Sequence, residues 1–476
     1  MRKVFVKVLC ALLLGSCHGE KKELPKDHPL VYQLVPNVHI ASQPLTYSIK
    51  ERLEEHEVAG ISLGIIENNR LEFAKGYGFA VKDSVVPDNQ TVFQVGSISK
   101  PIVSLVAMIL AERGEIRLDS LATSYLKDWR FPKNDYNANQ TITLRHLLNH
   151  TAGINMFNSK GMSPYKEMVS LKSIFDGEEY GKGVAIDTTA GARYVYSNYG
   201  YGILQKVLED HTKKSLEQLA QELVFRPLGM RRSSFEKIVP KAELSGYAFA
   251  YDDEGERYPE YWNQPLIPGS GGLRSTVQDL SILLLAIQRA INGKQVGNIS
   301  TRIAKTIISK KGYHLGFEIE GEEKMLSVTH TGRVKGFFAY MRIYPRTGNG
   351  IILLCNSDNG SEIFKDILRG TSDYFGWNSA KPRFITPIDV SKKQLEKYLG
   401  EYLLIYESDR YIAQILVEGN HLIFKMRDEA ERYPLRMVGQ DTFVDIKDGS
   451  DLDFISKDSV ISQLILDKEL VFEKMK

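Results

Sequence analysis

Cysteine is scarce in this chain: three residues in 476, which leaves no material for a disulfide framework. Cys10 and Cys17 fall in the N-terminal segment, and Cys355 ends the apolar strand Ile351 to Leu354, where a packed core thiol is expected. Charge of one sign is also missing. Lys and Arg total 61 against 59 Asp and Glu, a net charge of +2 with no long basic run, so there is no electrostatic case for nucleic acid. The N-terminal apolar run, Val8 to Leu14, is too short to span a membrane permanently. Metal-ligand spacing is lacking as well. His146 and His150 close one helix with no acidic or cysteine ligand at a suitable spacing, and read as a structural helix terminus. What remains is a chain with 43% apolar residues, long enough for one large domain and a smaller one.

The chain is organised around Phe93-Gln94-Val95-Gly96-Ser97-Ile98-Ser99-Lys100-Pro101, which runs into the apolar segment Ile102 to Glu112 and stops at Gly114. Ile102, Leu105, Val106, Ile109 and Leu110 recur at the spacing of one buried helical face, with Gly114 at the C-terminal cap. Residues three apart share a helical face, so Ser97 and Lys100 should touch. A hydroxyl becomes a nucleophile when a neighbouring base takes its proton, and a desolvated lysine can be that base. The same spacing at Ser163/Lys166 and Ser234/Lys237 has no long apolar helix behind it. Pro101 cannot donate as the helix leaves its first turn, and local loosening is expected there.

At the N-terminus, Arg2, Lys3 and Lys7 before the apolar run read as an export signal. Leu14-Gly15-Ser16-Cys17 resembles the bacterial lipoprotein signal, which implies removal of residues 1–16, lipidation of Cys17 and a tether over residues 17–40. The implied location is the bacterial cell envelope, lipid-anchored and facing the periplasm or the surface.

Thr46 to His56 reads as a helix, and Gly60 to Glu67 with Leu71 to Gly78 as a hairpin around Asn68-Asn69. Gly60-Ile61-Ser62-Leu63-Gly64 imitates a nucleophile elbow, but the strand continues into the hairpin, so Ser62 is expected to be a strand residue. Tyr196-Ser197-Asn198 precedes a helix from about Tyr201 to His211. In extended backbone Tyr196 and Asn198 point to one side, where a phenol of lowered pKa can accept a proton and an amide can hold substrate. Tyr261-Trp262-Asn263 matches the same pattern inside a Pro- and Tyr-rich loop and reads as packing. A helix is expected over Val277 to Ile291, then antiparallel strands over Ser327 to Thr331, Phe337 to Tyr344 and Gly350 to Cys355.

With Ser97-Ile98-Ser99-Lys100, Tyr196-Ser197-Asn198 and His330-Thr331-Gly332 in this order, the chain resembles the serine β-lactamase and D,D-peptidase superfamily, in particular its class C branch with esterase and transesterase relatives. The resemblance implies an α+β fold over residues 41–385: an antiparallel sheet flanked by helices, with an all-helical subdomain. It implies Ser97 as nucleophile, Lys100 and Tyr196 as the proton-transfer pair, Asn198, His330, Thr331 and Gly332 as substrate-binding positions, and the N–H groups of Ser97 and Arg333 as oxyanion donors. The lactamases and peptidases that the chain resembles usually carry lysine where His330 stands. An unperturbed histidine is only roughly a quarter protonated at pH 7, so esters, amides and neutral scaffolds gain weight.

From Ser391 the pattern turns to a short helix and then short strands separated by Gly419-Asn420, Gly439-Gln440 and Asp448-Gly449. Residues 390–476 are expected to form a small eight-stranded barrel, similar to the lipocalin-like modules attached to some superfamily members. The function expected is an exported serine hydrolase acting through acyl-Ser97 on a small molecule or short peptide: an ester, an amide or a D-amino-acid peptide. The alternatives are an acyltransferase moving a small acyl group such as succinyl to a hydrophobic, sterol-like acceptor, a true β-lactamase, and a non-catalytic penicillin-binding-like sensor. No metal or organic cofactor is implied.

Overall fold

The computed structural model describes residues 28–40, 46–139, 141–157, 161–163, 165–178, 180–236, 246–377, 380–406, 409–428, 432–458 and 460–475. Cys17, the export signal and Lys237 lie outside the described residues. The described chain begins inside the fold, which corrects the tether expected through residue 40. Leu30, Val31 and Leu34 are buried, and β1 (Val38–Ile40) is already paired. Apolar side chains at these positions make burial the favourable outcome for a segment expected to be solvated.

α1 (Ile49–Glu55) opens on a capping box between Ser48 and Glu51. β2 (Gly60–Glu67) and β3 (Arg70–Gly78) follow as the expected hairpin, its turn made by Asn68 and Asn69 at φ 51° and 63°. Ser62 is indeed a strand residue, with its Oγ donating to the Asp88 carbonyl at 2.8 Å. α2 (Ser99–Glu112), α3 (Asn198–Thr212) and α4 (Val277–Ile291) form the helical framework. The sheet resumes with β4 (Gly312–His314), β5 (Phe317–Glu320), β6 (Ser327–Val334), β7 (Phe337–Tyr344) and β8 (Asn349–Cys355). The strand order is β3-β2-β8-β7-β6-β5-β4, antiparallel throughout, giving seven strands. α5 (Gly360–Phe375) then crosses back over the sheet.

Both faces of this sheet are covered, which explains why β8 reads as an unbroken apolar run. Ile352 and Leu354 face the cluster that holds α2 and α4, while Ile351, Leu353 and Cys355 face the cluster with α1 and α5. The Cys355 thiol is a packed core group, as expected, and burial pushes it up to about 12.

β9 (Arg383–Ile385) pairs in parallel with β1, and a closed barrel follows. Its eight strands run from Gly400–Tyr406 to Leu470–Lys474 and close where Tyr402 and Leu403 meet Lys474 and Glu473. Closure leaves no free strand edge. Arg383 donates to the Gly449 carbonyl at 2.8 Å and to Asp451 at 2.6 Å, tying β9 to one barrel turn.

Candidate active site

α2 is entered through a 3-10 turn, Gly96–Ile98. Gly96 has φ +50°, and a Cβ there would fall 2.7 Å from the Arg333 nitrogen, so the turn needs glycine twice over. Ser99 pins the turn: its Oγ donates to the Gly96 carbonyl at 2.6 Å and accepts from Leu273 N–H at 2.9 Å. Pro101 lies within the helix's first turn, where N–H groups have no intrahelical acceptor, so its missing donor costs α2 no helical bond.

The turn places Ser97 where three elements meet. Tyr196 Oη lies 2.8 Å from Ser97 Oγ, and Lys100 Nζ lies 3.0 Å from it. Lys100 Nζ also donates to Asn198 Oδ1 at 2.9 Å and to the Ser270 carbonyl at 2.8 Å. Ser197 caps α3 by accepting from Gly200 N–H, and its own N–H donates to His150 Nδ1 at 3.1 Å. His150 has φ +56° and packs its ring 4.3 Å from that of Tyr196. The segment carrying Tyr196 and Asn198 is therefore held from both ends, and His150 is a helix terminus that also buttresses the site.

Electrostatics distinguish the members of the cluster. Lys100 is fully buried, and burial holds its amine well below the usual lysine range. No carboxylate among the described residues pairs with it. A neutral amine has two hydrogens and one lone pair. Nζ has three oxygens within hydrogen-bond distance, so once the amine is deprotonated its two hydrogens can serve Asn198 and Ser270 and leave the lone pair for Ser97 Oγ.

Tyr196 departs from expectation. Burial pushes its phenol up to about 12, with the Ser97 hydrogen bond opposing that shift and Tyr194 adding to it. The buried phenol is thus a proton donor at neutral pH, where a lowered pKa was expected. His330 departs too. It is buried, with Nδ1–H donating to its neighbour's carbonyl at Thr331, and burial followed by the Lys100 charge lowers it to about 3. It is a neutral ring packed near Tyr313 and is not among the residues that line the cleft beside Ser97.

Asn198 lines the cleft with its amide anchored, Oδ1 accepting from Lys100 and Nδ2 donating to the Phe157 carbonyl at 2.8 Å, which leaves one N–H of the amide uncommitted. Gly332 passes closest to the nucleophile. A Cβ at Gly332 would lie 2.0 Å from the Val95 carbonyl oxygen and 3.0 Å from the Ser97 nitrogen. Thr331 and Arg333 flank it, exposed, on a stretch of β6 that pairs with β7 alone, since pairing with β5 ends at Thr329.

The cleft beside Ser97 encloses about 190 Å³ and is lined by Asn198, Asn263, Leu266 and Arg333 among others. Asn263, read from sequence as loop packing, belongs to this wall. Gln94 holds it there, its side chain donating to the Asn263 carbonyl at 2.6 Å and accepting from the Asn263 N–H at 3.2 Å. The signal available in sequence was the second Tyr-x-Asn match itself.

A seven-stranded antiparallel sheet between helical layers, with a serine at a helix mouth held between a buried amine and a phenol, has the architecture of a serine hydrolase. The chain belongs to the beta-lactamase family, whose model matches residues 47–370. It is 23% identical over 334 residues to Protein flp of Staphylococcus aureus (strain MW2), covering 66% of this chain and 63% of that protein. The chain therefore spans less than two thirds of that relative's length. It is 24% identical over 404 residues to Penicillin-binding protein 4* of Bacillus subtilis (strain 168), covering 78% of this chain and 85% of that one. Among solved structures, the octameric penicillin-binding protein homologue from Pyrococcus abyssi superposes at a TM-score of 0.61 with 22% identity, over 89% of this chain and 98% of its own. A class C beta-lactamase superposes at 0.54 with 21% identity, over 67% of this chain and 93% of its own. At these identities the superpositions speak for the fold.

Proposed function

We propose that the protein is a serine hydrolase working through an acyl-Ser97 intermediate on esters, amides or D-amino-acid peptides. The observation that carries this reading is the position of Ser97 Oγ, 3.0 Å from Lys100 Nζ and 2.8 Å from Tyr196 Oη. Lys100, in its deprotonated form and held by Asn198 and Ser270, takes the Ser97 proton as Oγ bonds to the substrate carbonyl carbon. The negative charge that develops on the carbonyl oxygen meets the N–H groups of Ser97 and Arg333. One such donor is worth about 2.7–4 kcal/mol to a transition state. Tyr196 donates its proton to the leaving group and recovers one from Lys100, and water then releases the acyl group.

A neutral, buried His330 removes the cation that β-lactam substrates meet at this position in related enzymes, so β-lactam turnover is expected to be slow. Transfer to an alcohol is a second reading, supported by Phe157, Pro265, Leu266 and Ile267, an apolar wall beside Ser97 that would hold a hydrophobic acceptor and shed water. Leu14 to Cys17 supports placing the enzyme on a lipid anchor in a bacterial envelope.

The test is turnover of a panel of activated esters, D-alanyl peptides and a chromogenic cephalosporin by wild type and Ser97→Ala. Ester or peptide cleavage lost in Ser97→Ala supports the reading. Cleavage that survives in the variant removes it.

A further inference from the structure

Among the described residues, the cleft beside Ser97 is lined by two cationic side chains and no carboxylate. Arg333 and Lys335 both line it, and none of its lining residues is Asp or Glu. Both are exposed, Arg333 near the end of β6 and Lys335 in the turn that follows it, and both side chains border the cleft with Val334 between them. Gly332, where the strand crosses the nucleophile, separates them from His330. His330 lies toward Tyr313, whereas Arg333 and Lys335 lie toward Tyr258 and Asp358. The cations thus flank Ser97 on the side opposite the buried histidine.

Their existing partners leave the charge available. Arg333 Nη2 donates to the Asp358 backbone carbonyl at 3.3 Å, and Lys335 Nζ lies 4.0 Å over the Tyr258 ring. The Asp358 carboxylate is engaged elsewhere, accepting from Tyr258 O–H at 2.6 Å and from Gly336 N–H at 2.8 Å. Neither cation forms an ion pair among the described residues. Glu260 borders the adjoining hollow with Lys335 but is exposed to solvent.

We propose that Arg333 and Lys335 form a subsite for an anionic acyl group, so that the preferred acyl donors are half-esters or half-amides of short dicarboxylic acids. This rests on Ser97 being the nucleophile. The scissile carbonyl lies at Ser97 and the distal carboxylate between the two cations, where a guanidinium can bind it through two parallel N–H donors. Ser97 Oγ forms the new bond to carbon, the bond to the alcohol or amine breaks, and the leaving group departs with the proton lost by Ser97. Water then cleaves the acyl-serine ester and releases the dicarboxylate. The distal carboxylate is unchanged throughout.

The test is a matched pair, 4-nitrophenyl hydrogen glutarate and its methyl ester, which differ in charge at the distal end. Wild type is expected to favour the anionic donor at least tenfold in kcat/KM, with the preference shrinking as salt is raised. Arg333→Gln and Lys335→Gln should each lower that ratio several-fold, mainly through KM. Equal ratios in wild type and both variants would overturn the proposal. A separate arm uses the corresponding anilides as equilibrium ligands of Ser97→Ala. Tighter binding of the anionic anilide, lost when Arg333→Gln is added, supports the subsite even if the pair is not turned over, and equal binding of the two anilides contradicts it. Failure of the nucleophile reading appears differently, as ester turnover that Ser97→Ala does not abolish.

Discussion

Lys100 Nζ lies 4.7 Å from the centre of the Tyr196 ring, and burial drives the two groups in opposite directions, the amine toward neutrality and the phenol up to about 12. Together these shifts move the amine toward its basic form and keep the phenol in its acid form. The acylation rate is expected to rise with pH as Lys100 loses its proton through its lowered pKa, then stay flat until Tyr196 ionises near 12. A pH profile of kcat/KM for a neutral ester checks this. A rate that falls with rising pH between 7 and 10 would contradict it.

Tyr196 should matter in proportion to the proton the leaving group needs. Tyr196→Phe is expected to slow cleavage of an alkyl ester by about 10²–10³, within the usual range for a lost general acid. A nitrophenyl ester, whose leaving group departs as the anion, should lose far less. Single-turnover rates for the two esters measure the difference.

Burying Lys100 also has a consequence for stability. The unfolded chain holds the lysine proton up to its ordinary pKa, and the folded chain releases it earlier, so folding becomes more favourable as pH rises through that window. The slope is at most about 1.4 kcal/mol per pH unit for one proton. Lys100→Met lacks this dependence, so any stability advantage it has over wild type should shrink between pH 7 and 10. Urea unfolding of both proteins at several pH values is the check.

Gly332→Ala places a methyl group 2.0 Å from the Val95 carbonyl oxygen, so β6 must retreat from the Ser97 turn. The expected result is a fall of at least 10² in kcat, because oxyanion donors act only at hydrogen-bond distance. Circular dichroism and the unfolding midpoint separate this from a general loss of fold.

On the far face of the sheet, Asp366 is buried between Arg52, Arg369 and His56. Burial alone would raise its pKa, but the His56 hydrogen bond and the charges of Arg52 and Arg369 outweigh it and hold the carboxyl below its ordinary value. The stability it confers is therefore present above the unfolded carboxylate pKa and lost as pH falls through the lower folded value. Asp366→Asn is expected to destabilise by about 3–5 kcal/mol, since it removes the buried negative charge between two guanidinium groups, leaving Arg52 only Glu55 as an anionic partner and Arg369 only neutral acceptors at Val35 and Asn37. Denaturant unfolding at pH 7 reads this directly.

Much of this architecture was legible because local patterns carried it. Ser97 and Lys100 are three apart across the turn that leads into α2, Asn68-Asn69 turn a hairpin in the left-handed region, and the barrel strands are spaced by Gly-Asn and Asp-Gly turns. What escaped depends on distant partners. Asn263 joins the cleft through Gln94, 169 residues away, and no periodicity records that. Leu30, Val31 and Leu34 lie next to a polar leader in sequence, yet they pack against α5 through a contact so close that a Cβ at Gly370 would lie 2.3 Å from the Gln33 carbonyl oxygen. The direction of the Tyr196 and His330 pKa shifts follows from burial, which residue types alone do not reveal.

The central claim, an acyl bond to Ser97, is tested most directly by intact-mass spectrometry after brief exposure to activated short-chain, succinyl and longer acyl esters, D-alanyl peptides and a penicillin. Wild type is expected to gain the mass of one acyl group, mapped to the peptide containing Ser97, with decay that water or an added alcohol hastens. Ser97→Ala should gain none. Donor consumption without a Ser97 adduct under quenched conditions, or an adduct that persists in Ser97→Ala, would contradict the account.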